Sequence, residues 1–515
     1  MSVGSFGQSE PQRLSLFING RRFIGFGGNW GFGESNLNYR EREYDIAVAY
    51  HADMNFTMIR NWVGQIGDKE FYEACDRHGI MVWQDFWLAN PVDGPNPYYT
   101  EMFNANACDY LKRIRNHPSI GIYVGRNEGN PPAGIDDYLR GLVFREHPGL
   151  YYISNSAMGV VSGGGPYRAL SPKSYFQSYG HDKFHSERGM PNVMNYESML
   201  LTFGTDKIEP VNTSETPNPV YGLHDYTLGG GKGSSAQAAS SFNDMIEKAF
   251  GRPRDAKQFA EWAQWINYDG YRAIFEGRSE HRRGMLLWMS HSAWPSMVWQ
   301  TYDYYFDPNA AYFGCKKASE PLHIQWNPLR DDIEVVNYHA FDRTGLTATA
   351  SLFNQDGTLQ WTRETKLDIK EDQTVACFPL EQPETLSDTY FIKLSLTDSD
   401  GKQLSDNFYW RGKEDGNYKS LLQLPKVSVC KNVTVKKTGK EWLIRAVLKN
   451  EARTPALMLR LKVAGEKSGR MLLPVFYSDN YFSLLPGEVK EVDIRLYDAD
   501  TYGEKPVLEV LGFNL

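Results

Sequence analysis

Apolar residues follow two rhythms along this chain. Up to about residue 290, short unbroken apolar runs alternate with stretches of helical spacing. The runs are Gly25–Trp30, 58–62, 80–86, 120–124, 150–154, the region 163–167, one ending at Glu187, and 284–289. Between them, Tyr44, Ala47 and Val48 fall on one helical face in 41–54, 71–78 reads as a helix closed by Gly79, and 110–115 and Ala256–Glu276 read as further helices. Unbroken runs suit strands buried on both faces of a parallel sheet, and 3.6-residue spacing suits the helices that cover it. Eight such strands predict a (β/α)8 TIM barrel. Residues 16–24 predict a hairpin turning at Asn19-Gly20, and 201–232, rich in Pro, Thr and Gly, reads as an extended loop.

From about residue 331 the rhythm changes to a period of two. Strands are predicted at 333–337, 347–352 and 391–396, with turns at Asp356-Gly357 and Asp400-Gly401, and then at 427–429, 442–448, 457–463 and 489–496. Each group has the size of an antiparallel sandwich. The fold class expected is therefore multidomain: a (β/α)8 TIM barrel over 1–325, followed by two immunoglobulin-like β-sandwich domains over 326–424 and 425–515.

Composition narrows the function. A length of 515 residues exceeds a single core. The net charge of −8, with both signs spread along the chain, supplies no basic stripe for nucleic acid and no polybasic segment for a membrane. No apolar run is long enough to span a bilayer, and residues 1–11 lack the charged and apolar regions of a signal peptide; the compartment is left open, cytoplasmic as read and periplasmic or secreted if the natural start lies upstream. Five scattered cysteines suggest neither a disulfide framework nor a zinc site. Aromatic residues make up 14%, which suits sugar faces as well as cores.

The candidate chemistry lies where apolar runs end. Ile120, Ile122, Tyr123 and Val124 give way to Gly125-Arg126-Asn127-Glu128, and Phe184-His185-Ser186-Glu187-Arg188-Gly189 is read as the end of a second strand bearing a carboxyl. Side chains at the carboxyl ends of different barrel strands converge on one face, and two carboxylates there, one acid and one nucleophile, are what glycoside hydrolysis needs. Arg60 ends the second strand at the same face and is the cation expected to keep Glu187 charged. His181, Asp182 and His185 have no metal-ligand spacing, and the glycines at 25–28 and 229–233 match no phosphate loop, so no metal and no cofactor are expected.

These motifs resemble glycoside hydrolase family 2, within it the branch of β-mannosidases, endo-β-mannosidases and exo-β-glucosaminidases. The resemblance rests on an ordered set: Met58-Ile59-Arg60, Trp83-Gln84-Asp85-Phe86, Arg115-Asn116-His117-Pro118, Asn127-Glu128, Ser186-Glu187 with Gly189, Trp288, and Trp294-Pro295. Asn127-Glu128 followed by Pro131-Pro132 is similar to the endo-β-mannosidases. Ser478-Asp479-Asn480-Tyr481-Phe482 is similar to the branch's terminal immunoglobulin-like domain.

The resemblance implies a retaining β-glycosidase without cofactor, β-mannosidase-like, with exo-β-glucosaminidase, another family 2 glycosidase or a non-catalytic carbohydrate-binding protein as alternatives. It implies Glu128 as general acid/base and Glu187 as nucleophile. Arg60, Asn127, Asp85, Trp62, Trp288 and Tyr167 are the substrate-binding residues, acting on an oligosaccharide or glycoconjugate. Asn127 is expected on the sugar 2-hydroxyl, Trp288 as a platform, and Trp62, Trp83 and Trp87 as walls; Asp85 either contacts substrate or pairs with Arg60. Two departures stand out: the family's leading domains are not in this sequence, and glycine-rich 162–167 replaces the signature expected on the sixth strand.

Overall fold

The computed structural model describes residues 13–177, 182–211, 218–224, 236–278, 283–297, 299–339 and 341–515. The chain divides into two compact units. The first holds the described residues up to Tyr167 together with Ser174–Met190 and Ile274–Trp294. It opens on the expected hairpin, β1 (Leu16–Ile18) and β2 (Arg21–Phe23), turned by Asn19 and Gly20, both at positive φ.

Eight parallel strands follow: β3 (Gly25–Trp30), β4 (Met58–Asn61), β5 (Met81–Asp85), β6 (Ile120–Arg126), β7 (Tyr151–Asn155), β8 (Val161–Ser162), β9 (Phe184–Arg188) and β10 (Gly284–Leu287). They form one curled sheet of TIM-barrel type in the order β7-β6-β5-β4-β3-β10-β9-β8. Every residue of β3, β4, β5, β6, β9 and β10 is buried, which is why β5, β6 and β10 read as largely apolar runs, while in β9 the buried residues are mostly polar. The crossovers after β3 to β6 carry helices α1 (Glu41–Asp53), α2 (Lys69–His78), α3 (Thr100–Ile114) and α4 (Ala133–Glu146).

The barrel is filled by Met58, Met81, Trp83, Ile122, Val124, Ile153, Val161, Phe184 and Leu286, joined by Leu14 and Leu16 from the entry segment. Two glycines make room for the Phe184 ring. Gly25 and Gly284 lie opposite each other in register, and a Cβ on either would come within 2.6 Å or 2.1 Å of Phe184 Cε2.

Several expectations are corrected. The sixth strand is only Val161–Ser162, and the glycines at 163–165 follow it as an irregular segment, because residues without side chains offer nothing to pack on a barrel face. The helix expected at 110–115 is α3, fifteen residues long. The stretch 201–232 is not wholly loop, since Tyr196–Phe203 and Pro219–His224 are helical; the glycines at 229–233 and His181 lie outside the described residues.

The second unit contains two pairs of antiparallel sheets. In the first pair, Leu322–Asn327, Asp332–Asn337 and Gln373–Pro379 make one sheet; Leu359–Ile369, Arg343–Asn354, Thr389–Thr397 and Gln403–Gly412 make the other. Ile324, Ile333, Val335, Ala348, Ala350, Leu352, Ile392 and Leu394 share their core, alternating with outward residues as an immunoglobulin-like sandwich requires. The second pair is built on Glu441–Asn450 and Ala456–Gly465. No described helix is long and apolar enough to cross a membrane.

Gly27 faces Met58 in the β3–β4 register, and a Cβ there would lie 1.6 Å from the Met58 carbonyl oxygen. Gly27→Ala is therefore predicted to lower stability by about 3 kcal/mol or more. Gly134→Ala, where nothing lies within 4 Å on helix α4, should raise it by about 0.5 kcal/mol. Denaturant midpoints of the two variants test the contrast, and equal midpoints would refute the close approach.

Candidate active site

All parallel strands of a barrel end at one face, so the polar residues that stop β4, β5, β6 and β9 are brought together. Arg60, fully buried near the end of β4, is the centre of the cluster. Its Nε and Nη2 donate to Asp85 at 3.2, 3.0 and 2.7 Å, its Nη1 donates to Glu187 Oε1 at 2.7 Å, and its Nη2 also donates to Asn127 Oδ1 at 2.7 Å. The planar fork thus ties the ends of β4, β5, β6 and β9 into one hydrogen-bonded set. Burial alone would push the guanidinium toward neutrality, but Asp85 and Glu187 hold it firmly charged.

Asp85 answers the choice left by the sequence. Its side chain is fully buried and accepts from Arg60, from Trp83 Nε1 at 2.8 Å and from the Val63 backbone N–H at 3.0 Å, which is the ion-pair alternative. Trp83 is likewise a floor rather than a wall: it is fully buried, and the Arg60 guanidinium lies 5.7 Å from its ring. Trp87 spends its indole N–H on the Gly64 carbonyl and packs on Tyr110 of α3.

Glu187 is held at both oxygens. Oε1 takes Arg60, and Oε2 accepts from the Tyr167 hydroxyl at 2.6 Å; the same hydroxyl lies 3.5 Å from Glu128 Oε1. Burial and the two carboxylate charges push the Tyr167 phenol far up, so it remains a donor. The replacement segment explains its placement: Gly165 N–H donates to the Glu187 carbonyl at 3.1 Å, and a Cβ on Gly164 would approach Glu128 Oε1 at 3.4 Å. Tyr167 is thereby set between the two glutamates.

Arg60, expected to keep Glu187 charged, does pull the carboxyl toward its charged form, but burial opposes that pull. Burial raises the carboxyl value to about 7 despite Arg60, with the Glu128 charge adding to the rise. One guanidinium serves two buried carboxylates, and Asp85 takes most of its donors.

Glu128 follows β6 at φ 47°, a left-handed conformation uncommon for a residue with a side chain. Its backbone N–H donates to Ser156 Oγ at 3.0 Å, and that hydroxyl also reaches Asn127 Oδ1 at 3.4 Å. Since the Asn127 oxygen is occupied by Arg60, its amide N–H groups are the atoms offered to a ligand. Trp62 and Trp288, both half-buried, meet edge to face at 5.0 Å, and Tyr167 stands 6.4 Å from Trp288. An aromatic rim thus surrounds an acidic floor.

Sequence reading missed Ser156 and the hydrogen-bonding role of Trp83. Ser156 follows the polar end of β7, so the rule that found Glu128 could have found it. His185 is drawn into structure: its ring nitrogens lie 2.8 Å from Ser162 Oγ and 2.8 Å from the Gly165 carbonyl, and burial holds it neutral with a value near 3. Among the described residues no group of three or more His, Cys, Asp or Glu side chains is arranged to hold a metal ion.

A raised carboxyl value means that the folded chain binds this proton more tightly than the unfolded chain. Stability from this group is therefore full below the usual 4.5 and lost as pH rises through about 7, an effect of about 3 kcal/mol. Glu187→Gln is predicted to be more stable than the parent at pH 8 and equal to it below pH 4.5. Urea unfolding at the two pH values decides, and a variant less stable at pH 8 would contradict the assignment.

Comparison with known proteins completes the description. Residues 407–515 match the family model of the exo-β-D-glucosaminidase Ig-fold domain. The chain is 27% identical to a mannosylglycoprotein endo-β-mannosidase of Lilium longiflorum, over 96% of this chain and 63% of that protein. It is 28% identical to an exo-β-D-glucosaminidase of Streptomyces avermitilis, over 96% and 60%. Its fold is that of the Amycolatopsis orientalis exo-chitosanase, with a TM-score of 0.88 at 24% identity over 100% of this chain and 65% of that one. The chain spans about three fifths of the length of the curated relatives it matches.

Proposed function

Because the chain belongs to the branch of glycoside hydrolase family 2 that contains the β-mannosidases and exo-β-glucosaminidases, we propose that it is a retaining β-glycosidase. The observation that carries this reading is the one tyrosyl hydroxyl lying 2.6 Å from Glu187 and 3.5 Å from Glu128. It limits the facing carboxylate oxygens to a separation of about 6 Å, below the range of roughly 6.5 to 9.5 Å that inverting enzymes use to admit a water.

In the first step a Glu187 oxygen attacks the anomeric carbon, the glycosidic C–O bond breaks, and Glu128 gives its proton to the departing oxygen. The product is a glycosyl ester on Glu187 and a free alcohol. In the second step Glu128 takes a proton from water as the water oxygen attacks the same carbon, and Glu187 leaves as carboxylate. Arg60 and Tyr167 fix the plane of the nucleophile throughout, which supplies orientation before the reaction begins. The Asn127 amide donates to the sugar 2-hydroxyl, and Trp288 with Trp62 provides the apolar face against which the ring sits.

The glycone proposed is β-mannosyl, in keeping with the endo-β-mannosidase relative. A β-glucosaminyl unit is the second reading, supported by the Ig-fold match and the Streptomyces relative. Release of nitrophenol from a panel of aryl β-glycosides that includes both sugars separates them.

Glu187→Gln should reduce turnover on the preferred aryl glycoside by at least about a thousandfold, and the parent should release the β-anomer first when the reaction is followed by proton NMR. An unchanged rate would remove the nucleophile assignment, and an α-anomer would remove retention. The acidic limb of kcat/KM reports ionisation of the free nucleophile and should lie near 7. The Tyr167 hydrogen bond lowers the Glu187 value, so Tyr167→Phe is predicted to move that limb to higher pH; a limb that stays in place would show that the hydroxyl does not bear on Glu187.

A further inference from the structure

The loop between β5 and α3 is bound to the turn that carries Glu128 at several independent points. Asn127 N–H donates to the Leu88 carbonyl at 2.9 Å. Arg126, almost fully buried and paired with no carboxylate among the described residues, donates through Nε to the Ala89 carbonyl at 2.7 Å and through Nη1 to Asn96 Oδ1 at 2.7 Å, with Nη2 3.4 Å from the Gly94 carbonyl. A Cβ on Gly129 would lie 3.1 Å from Pro91. A charged side chain buried beside the site is thus committed to holding a surface loop.

What that loop presents is apolar and exposed. Tyr98 is 89% exposed and Tyr99 75% exposed, two and three residues beyond the anchored Asn96. Both precede the first turn of α3, so they stand on the same face of the barrel as the carboxyl ends of the strands. Adjacent bare tyrosines on a clamped loop are poor surface chemistry for a free chain, but their flat faces suit a sugar ring, with hydroxyls at the edge for its polar groups.

The chemistry of the site says which sugar this would be. A general acid must stand beside the departing oxygen, so the leaving group lies on the Glu128 side of the cleaved bond. The loop packed on Arg126, Asn127 and Gly129 borders that side. Building on the hydrolase reading above, we infer that Tyr98 and Tyr99 form a leaving-group subsite that stacks the next sugar of a β-linked oligosaccharide. Arg126 is its positioning residue, setting the loop against the acid/base turn without touching substrate.

Two measurements on the full chain test this. In the first, kcat/KM is compared for the β-1,4-linked trisaccharides of mannose and glucosamine and for the corresponding glycosyl fluorides, whose leaving group is a single atom. The double substitution Tyr98→Ala, Tyr99→Ala should lower the trisaccharide-to-fluoride ratio about tenfold; an unchanged ratio overturns the subsite. In the second, Glu187→Gln serves as a binding protein and affinity is read by calorimetry. Removing both tyrosines should weaken the trisaccharide about tenfold relative to the monosaccharide, and equal binding of the trisaccharide overturns the proposal. If the parent cleaves neither substrate the hydrolase reading fails, while the binding measurement still decides the subsite.

Discussion

The guanidinium of Arg60 is the constraint from which the site follows. It is fully buried, so its charge must be matched inside the protein, and its planar fork fixes where the matching groups stand. Asp85, Glu187 and Asn127 arrive from three other strands, and no single loop could have placed them. The parallel sheet is what makes this possible, because it directs every carboxyl end to one face. In return the ion cluster fastens the ends of β4, β5, β6 and β9 to one another.

That arrangement is unequal by construction. Asp85 has three bonds from Arg60 and two further donors, whereas Glu187 has one from Arg60 and one from Tyr167. The better-served carboxylate is fixed in place, and the less-compensated one is the group to which the proposed mechanism assigns attack. Under the proposed mechanism, such a site trades folding stability for a nucleophile whose charge is only partly neutralised, and burial raises the Glu187 value accordingly.

Much of this was legible in the sequence because buried parallel strands advertise themselves. β4, β5 and β6 begin apolar and turn polar at Arg60, Gln84 and Arg126, which located Arg60, Asp85 and Glu128, whereas β9, Phe184–Arg188, is polar after its first residue and was placed by its carboxyl and by the family motif. The outward-inward alternation of Arg343–Asn354 showed a half-exposed sandwich strand in the same way. What stayed hidden depends on contacts between distant segments. Val161–Ser162 is too short to have a period, and the glycines after it carry no side chains to reveal that they align Tyr167. The depth at which Glu187 lies, and hence the direction of its titration, is set by the assembled barrel and by no local pattern. Trp83 reads as an aromatic at a strand end, and only the register shows that it sits under Arg60.

The entry segment has a consequence for how the barrel core is sealed. Leu14 and Leu16 are buried with Met58, Trp83 and Phe184, and Leu14 N–H is bonded to the Val160 carbonyl just before β8 begins. That contact lies at the amino end of β8, remote from the glutamates. A TIM barrel is a packed core and not a channel, so the entry segment closes the bottom layer of that core and leaves the carboxyl ends of the strands as the surface on which a site can be built. Losing the entry segment would admit water to the core at the face opposite the glutamates, so packing is sealed at one end of the strands while polar chemistry is gathered at the other.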